Sequence, residues 1–462
     1  MKVLKLITVV ALMMLFVTGC NIKTESPEQL AKIPDYDDTK KVLYDGIDQL
    51  LKPDSSMILP SNTKEVGKIN KVDLNSDGID ELVVFEQKED LSNNVSQVGF
   101  VTLSYNGEKY VLGDHFLENG ESIEYANFYD LDSDGYKEVI LLVKSKDKTN
   151  MHIYKVVDNE ITKIYDLDAS WLQNKEDFND MKVKIGYIDG DDKLDILMLH
   201  LNNKTNEMFA SVANFDGKMK IKDSVKFENV KNLSELYITL GNVASSVGNS
   251  SAAIKGIVLD IPILKDNNYI TQILYMKDGK INKAFSDYDK TITKSYYIPV
   301  DDIDKDKIIE IPIVAGSTGN NKNTYSSKSS ATISWYRWNG KEGADSSLIF
   351  TSQIYYNYKY NFKLFIPNNL FDKILVEQEF VGEKAVFKFY YFDYSDCKNL
   401  FNIVVESKNK LEDRKNTGTQ NSIVLQESDE YTFLLVVNNA NEMDKLDMTI
   451  DALKEYFSLI YG

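Results

Sequence analysis

Apolar and polar positions alternate along most of the chain in short runs, and the runs recur at a fixed spacing. Three segments set the pattern: KVDLNSDGIDELVVF from Lys71, FYDLDSDGYKEVILLV from Phe128 and GYIDGDDKLDILML from Gly186. Each is a short apolar stretch, an acidic loop and a second, continuously apolar stretch. Counted from the first loop position they start at Asp73, Asp130 and Tyr187, two intervals of 57 residues. A fourth copy, DIDKDKIIEIPIV, starts at Asp302, 115 residues after Tyr187 and close to twice the period. One degenerate copy is therefore expected near residue 244, where GNVASSVGNSSAAIKGIVLDI keeps the turn residues and the apolar run but has no acids until its end. A fixed period of this length indicates one supersecondary unit repeated along the chain.

A second series follows the first. Downstream of each loop copy stands a turn between aromatic or apolar strands: SYNGEKY at Ser104, KVVDNEI at Lys155, NFDGKMK at Asn214, MKDGKIN at Met276 and RWNGKEG at Arg337. Asn-Gly and Asp-Gly between alternating residues are strong hairpin signals. Each repeat thus reads strand, acidic loop, strand, then a hairpin pair. Four antiparallel strands per repeat make a β-propeller blade, and runs such as Val139 to Val143 suit inner strands buried on both faces. The expected fold is mainly β: a propeller of about five four-stranded blades, or six, over residues 39–355, followed by a small α+β domain over 356–462. In that last part Phe362 to Ile366, Ala385 to Phe392, Leu400 to Glu406 and Tyr431 to Val437 read as strands, and Met448 to Ile460 as an amphipathic helix.

The N-terminus reads differently. Lys2 and Lys5 precede an apolar run from Leu6 to Val17 that ends in Val17-Thr18-Gly19-Cys20. The run is shorter than the roughly 20 residues of a spanning helix, and small residues precede the cysteine, so residues 1–19 read as a signal peptide. The segment resembles a bacterial lipobox, which implies acylation of Cys20 and an extracytoplasmic protein held on the membrane by its lipid. Residues 20–38 then serve as a polar tether, and residues 39–51 as a short helix interrupted by Gly46. With Cys20 acylated, Cys397 has no partner for an intramolecular disulfide.

Charge narrows the partners. The formal net charge of -18 becomes -20 without residues 1–19, and only Arg337 and Arg414 are arginine among 53 basic residues. Nucleic acid is disfavoured as a partner, bidentate phosphate clamping is scarce, and divalent cations are the natural counter-ions.

The acidic loops are where such ions would sit. Asp73, Asn75, Asp77 and Glu81 occupy positions one, three, five and nine of the first loop, and Asp130, Asp132, Asp134 and Glu138 those of the second. Calcium takes six to eight oxygens at about 2.3 to 2.6 Å, which alternating acids, a backbone carbonyl and a final carboxylate supply. Gly78 and Gly135 stand at the sharp turn. An EF-hand would need glutamate at position twelve and flanking helices, but Val84, Leu141, Met198 and Ile313 stand there in apolar strands. The loops resemble instead the FG-GAP or VCBS-type repeat, the blade family of integrin α-chain propellers and many bacterial surface proteins, over about residues 65 to 350. The resemblance implies calcium in the loop joining the first two strands of a blade, two to four structural ions in all. The third copy keeps Asp189, Asp191 and Asp195 but has Tyr187 first and Asp192 for glycine. The fourth keeps Asp302, Asp304, Asp306 and Glu310 but has Lys307 for glycine. The expected order of affinity is second, first, fourth, third.

Enzyme signatures are weaker. His115, His152 and His200 are far apart and show no zinc-ligand spacing, and no phosphate-cradling loop or Gly-x-Ser-x-Gly elbow occurs. Trp335 and Arg337 share one face of a strand as a candidate ligand contact, against blade packing as the alternative. Ala315 to Ala331 is a long polar loop without acids, a candidate contact surface. These features point to a binding or scaffolding module with an unknown protein or glycan ligand. The rivals are a carbohydrate-active enzyme with an acidic site on the propeller face, and a propeller that only spaces the C-terminal domain from the membrane.

Overall fold

The structure, a computed structural model, describes residues 46–47, 51, 54–90, 95–146, 148–167, 178–245, 253–264, 268–287, 289–314, 332–393, 396–408 and 422–461. Cys20, the signal peptide, the tether and the loop 315–331 lie outside them. Among the described residues the chain is mainly β and forms six antiparallel sheets in chain order. The second sheet, Ser122–Tyr129, Glu138–Ser145, Lys148–Val157 and Glu160–Leu167, and the third, Phe178–Gly186, Asp195–Asn202, Glu207–Phe215 and Met219–Phe227, are plain four-stranded meanders. The fourth, Tyr237–Ala244, Ile254–Pro262, Tyr269–Lys277 and Lys280–Lys283, spans the site of the degenerate copy. Its first two strands pair across that site from Tyr237↔Asp260 to Ala244↔Ile254.

All five anticipated hairpin turns join paired strands. Asp158 and Asn159 both have positive φ (50° and 67°), as do Asp278 and Gly279 (52° and 73°). That is the type I′ geometry whose twist matches the strands it connects.

The stacking of the sheets follows from their apolar runs. A strand with apolar residues at every position must bury both faces, because successive side chains point opposite ways. Val139, Leu141 and Val143 pack with Val83, Phe85, Val98 and Phe100 of the first sheet. Ile140 and Leu142 pack with Val183, Ile196 and Met198 of the third. Leu197, Leu199 and Leu201 then meet Ile257, Leu259 and Ile261 of the fourth, whose Val258, Ile273 and Tyr275 meet Ile311, Ile313 and Trp338 of the fifth. Consecutive sheets therefore pack face to face along the chain. The outer face of the first sheet is covered by Ile47 and Leu51 of the expected short helix.

The C-terminal part departs from expectation in two places. Phe362–Ile366, placed in the C-terminal unit by its sequence, is a strand of the fifth sheet, paired with Leu348–Asn357. The helix expected over 448–460 runs only from Ile450 to Tyr456, capped by Thr449, and Phe457–Leu459 continues as a strand on Phe362–Ile366. The alternation that suggested helix is satisfied because Leu453 and Phe457 both enter the core shared by the fifth and sixth sheets. The sixth sheet, Ile374–Val381, Lys384–Asp393, Asp396–Ser407, Tyr431–Val437 and Ser422–Glu427, carries that core with Phe387, Phe389, Phe401 and Phe433. Among the described residues no helix is long and apolar enough to cross a membrane.

His200 lies in the third sheet, 1 % exposed, and burial, then nearby Lys148, push its pKa down from 6.5 to about 4. A group that resists protonation only when folded leaves stability intact above pH 6.5 and removes it as pH falls towards 4, by on the order of 3 kcal/mol. Replacing His200 by glutamine should flatten the fall in unfolding temperature between pH 7 and pH 4.5. An unchanged acid profile would show that other groups govern it.

Candidate functional site

The four acidic loops share one construction from the backbone outward. In each, the position-nine carboxylate is buried beneath the turn and accepts the N–H of position two. Glu81 accepts from Leu74 at 2.9 Å, Glu138 from Leu131 at 2.8 Å, Asp195 from Ile188 at 3.1 Å and Glu310 from Ile303 at 2.9 Å. Above it the position-one carboxylate gathers further N–H groups. Asp73 accepts from Asp77 and Gly78, and Asp130 from Asp134 and Gly135, at 3.0 to 3.2 Å. These bonds force left-handed backbone at positions four and six: Ser76 and Gly78, Ser133 and Gly135. Lys307 takes the same conformation at φ 72° in the fourth loop, where a side chain costs about 1 kcal/mol relative to glycine. The third loop departs. Gly190 is left-handed at position four, but Asp192 at position six is not among the positive-φ residues.

The loops also touch one another. Ser76 donates to the carbonyl of Gly135 at 2.7 Å, and the N–H of Lys137 to the carbonyl of Leu74 at 2.8 Å. The first two sheets are thus joined at the loops as well as through their cores.

The loops differ in how the acids are balanced. In the second, ligand-type oxygens of Asp130, Asp132 and Glu138 lie within 4.8 Å of one another. Lys155, on the strand paired with that of Glu138, bonds Asp134 and stands 4.0 Å from Glu138. Burial, relieved in part by the Leu131 N–H and reinforced by Asp132, pushes Glu138 up to about 7, and its Oε1 is buried with no hydrogen-bond partner. The fourth loop repeats this. Asp302, Asp304 and Asp306 cluster within the same distance, Arg337 bonds Asp306 at 2.9 Å, and Glu310 is pushed up to about 7 by burial with Oε1 again unpartnered. The third loop is closed by a cation of its own. Lys222 bonds Asp189 and, at 2.7 Å, Asp195, and lies 3.7 Å from Asp191. Burial works against its charge, but these bonds outweigh it and raise its pKa. In the first loop Asp73, Asn75 and Asp77 accept backbone N–H groups of the turn, but its acids are not among the carboxylate clusters of the described residues, which fall in the second, third and fourth loops and around His152.

The remaining sequence candidates separate. Trp335 is buried by packing with Ile333, Ile354 and Tyr356, and Arg337, half-buried, bonds Asp306. His115 bonds buried Glu86 at 2.7 Å. His152 bonds Asp166 at 2.5 Å and lies 3.9 Å from Glu118, a polar group that the sequence reading missed. Counting back from the Asp158-Asn159 turn sets His152 opposite residue 165, and the bulge between Ile153 and Tyr154 moves it to Asp166. Lys163 already bonds Glu118 and Asp166 at 2.9 and 3.0 Å, which closes this cluster as an ion-pair network. A cavity of about 280 Å³ lies between the third and fourth sheets, walled by Phe227, Ile261, Ile263 and Ile270 with Glu228, Gln272 and Asp287.

No family model matches the chain, and no curated protein does. Among solved structures it is similar to a Lactobacillus plantarum protein (9% identity, TM-score 0.28, 73% of this chain and 86% of that one). It is also similar to the β-propeller domain of the Trilobed protease from Pyrococcus furiosus (11%, 0.26, 73% and 89%). A third similarity is to the exotype rhamnogalacturonan lyase YesX (11%, 0.27, 83% and 90%).

The Lys222 arrangement yields a test. Lys222→Met leaves Asp189, Asp191 and Asp195 uncompensated, and removing one partner of a largely buried pair costs about 3 kcal/mol. In EDTA the variant should melt several degrees below the parent, and millimolar calcium should recover most of the loss. A loss that calcium leaves untouched would show that the loop cannot accept a metal in place of the ammonium.

Proposed function

We propose that the chain is a lipid-anchored cell-surface protein whose sheets form a calcium-stabilised β-propeller of FG-GAP or VCBS type, working as a binding or scaffolding module. The observation that carries the calcium reading is the pair of buried carboxylate oxygens, Glu138 Oε1 and Glu310 Oε1, each without a hydrogen-bond partner beside further acids. Leaving such an oxygen unsatisfied costs free energy, and crowded carboxylates add repulsion. A hard cation bound by Asp130, Asp132, Asp134 and Glu138, or by Asp302, Asp304, Asp306 and Glu310, answers both. A further ion is placed on Asp73, Asn75, Asp77 and Glu81 of the first loop because its backbone takes the same turn over a buried carboxylate. The third has its lysine, which leaves two or three sites. Calcium there stabilises the folded state by mass action and takes no part in turnover. The face-to-face stacking of successive antiparallel sheets supports the propeller, and the binding role follows from a rigid scaffold that presents loops and rims. Attachment through Cys20 sets the module outside the membrane, where a protein or glycan is the fitting ligand and nucleic acid is not.

Thermal unfolding in EDTA and then in millimolar calcium tests the ions. Saturation to a hundredfold over the dissociation constant contributes about 2.7 kcal/mol per site, so the midpoint should rise by roughly 5 °C or more. Asp132→Ala with Asp134→Ala should remove much of that rise. No calcium-dependent shift in the parent would end the metal reading.

The anchor has its own check. Growth with an alkyne-bearing fatty acid should label the protein, and Cys20→Ser should abolish the label and release the chain into the medium. An unlabelled parent would exclude lipidation.

A further inference from the structure

Tyrosines converge on the ends of the fourth and fifth sheets that lie away from the acidic loops. Tyr237 pairs with Asp260, and Tyr269 with Pro262 at the close of Ile254–Pro262, whereas acidic loops lead into the equivalent strands. Tyr237 stacks on Tyr297 with centroids 3.5 Å apart and an 8° angle, and Tyr269 lies 6.0 Å from the same ring. Tyr296 and Tyr297 ride on a segment pinned from both sides. Upstream, Lys294, 1 % exposed, bonds Asp260 at 3.0 Å, and Thr271 donates to the same oxygen at 2.5 Å. Downstream, Ile298 is buried with Tyr356, and Ile460 packs on that cluster.

The second half of the patch is held as firmly. Tyr356 and Tyr358 are stacked at 5.8 Å and 9°. Tyr461 is tied to the same turn, its N–H to Asn361 Oδ1 at 3.0 Å and its carbonyl to Asn361 Nδ2 at 2.9 Å. Ile298 and Tyr356 share one buried cluster on which Ile460 packs, so Tyr296, Tyr358 and Tyr461 each stand within two residues of it. Yet Tyr296 is 47 % exposed, Tyr358 62 % and Tyr461 72 %. Exposed tyrosines whose backbone or neighbouring ring is anchored in the fold make a contact surface, since ordering them on binding costs little entropy.

The chemistry of the surface selects its occupant. A phenol offers a flat apolar face with a hydroxyl at one end, which matches a pyranose ring with its CH face and rim of hydroxyls. Glu235 and Asp301, close in sequence to Tyr237 and Tyr297, and the chain's net charge disfavour an anionic polymer or an anionic lipid surface. We infer that this tyrosine face binds a neutral polysaccharide, stacking successive sugars on Tyr296, Tyr358 and Tyr461. The inference names a ligand class for the binding-module reading and rests on it, but it is independent of calcium and of lipidation.

Affinity electrophoresis of the purified protein through gels containing glycol chitin, xylan or hydroxyethylcellulose tests it, with alginate as the anionic control. Retardation is expected in at least one neutral gel and not in alginate. Tyr296→Ala with Tyr358→Ala and Tyr461→Ala should weaken it at least tenfold, whereas Tyr105→Ala, at an exposed tyrosine elsewhere, should leave it unchanged. If the triple variant melts below the parent, Tyr358→Ala alone is read instead, with a threefold or greater loss expected. No retardation in any neutral gel, or retardation indifferent to these tyrosines, overturns the inference. Tyrosine-dependent capture by phosphatidylcholine vesicles in place of glycan also overturns it, in favour of a membrane contact. Because calcium-dependent melting is measured separately, failure here is distinguishable from failure of the calcium-stabilised module.

Discussion

A carboxylate buried under each acidic turn, accepting the N–H of the loop's second residue, is the interaction on which the arrangement of the loops depends. It ties the end of one strand to the start of the next through Glu81, Glu138, Asp195 and Glu310. It also places a charge where water cannot reach it, and burial then favours its neutral form. Everything above it follows from the need to balance that charge. Backbone N–H groups turn inward, with left-handed conformations at position four of every loop and at position six of all but the third, and a cationic side chain reaches over from another strand of the same sheet in three of the four loops.

Those three cations are not equivalent. Lys155 and Arg337 lie on the strand paired with the one that the buried acid opens and bond the position-five carboxylate, leaving the buried oxygen without a hydrogen bond. Lys222 comes from the next strand outward, at a bulge, and reaches the centre of its cluster. The third repeat thus balances its buried acid with an internal cation that touches it directly. The opposite ends of the sheets solve a related problem with Lys294 and Asp260, whose buried pair fixes a tyrosine-bearing segment between the fourth and fifth sheets.

Much of this was legible in the residues. The 57-residue spacing, the five hairpin turns and the uninterrupted apolar strands marked strands and turns that pair as antiparallel sheets. Alternation and turn chemistry act over a few residues, and a repeat multiplies a weak local signal. The degenerate copy near residue 244 could be located because its strands kept their period after its loop lost its acids.

Tertiary structure decided what periodicity cannot reach. Phe362 to Ile366 joins the fifth sheet by folding back on the strand just before it, and Phe457 to Leu459 then pairs with it from about a hundred positions away, a pairing that leaves no local pattern. A single bulge moved His152 from residue 165 to Asp166, and a bulge on the neighbouring sheet brought Lys222 into the third loop. The tyrosine face is scattered over more than two hundred residues from Tyr237 to Tyr461, and no spacing announces it. Local sequence by itself determined which segments are strands, which are turns and which carry charge. Which distant charges and rings meet was settled only by packing, because register shifts and sheet-to-sheet contacts depend on the whole assembled core.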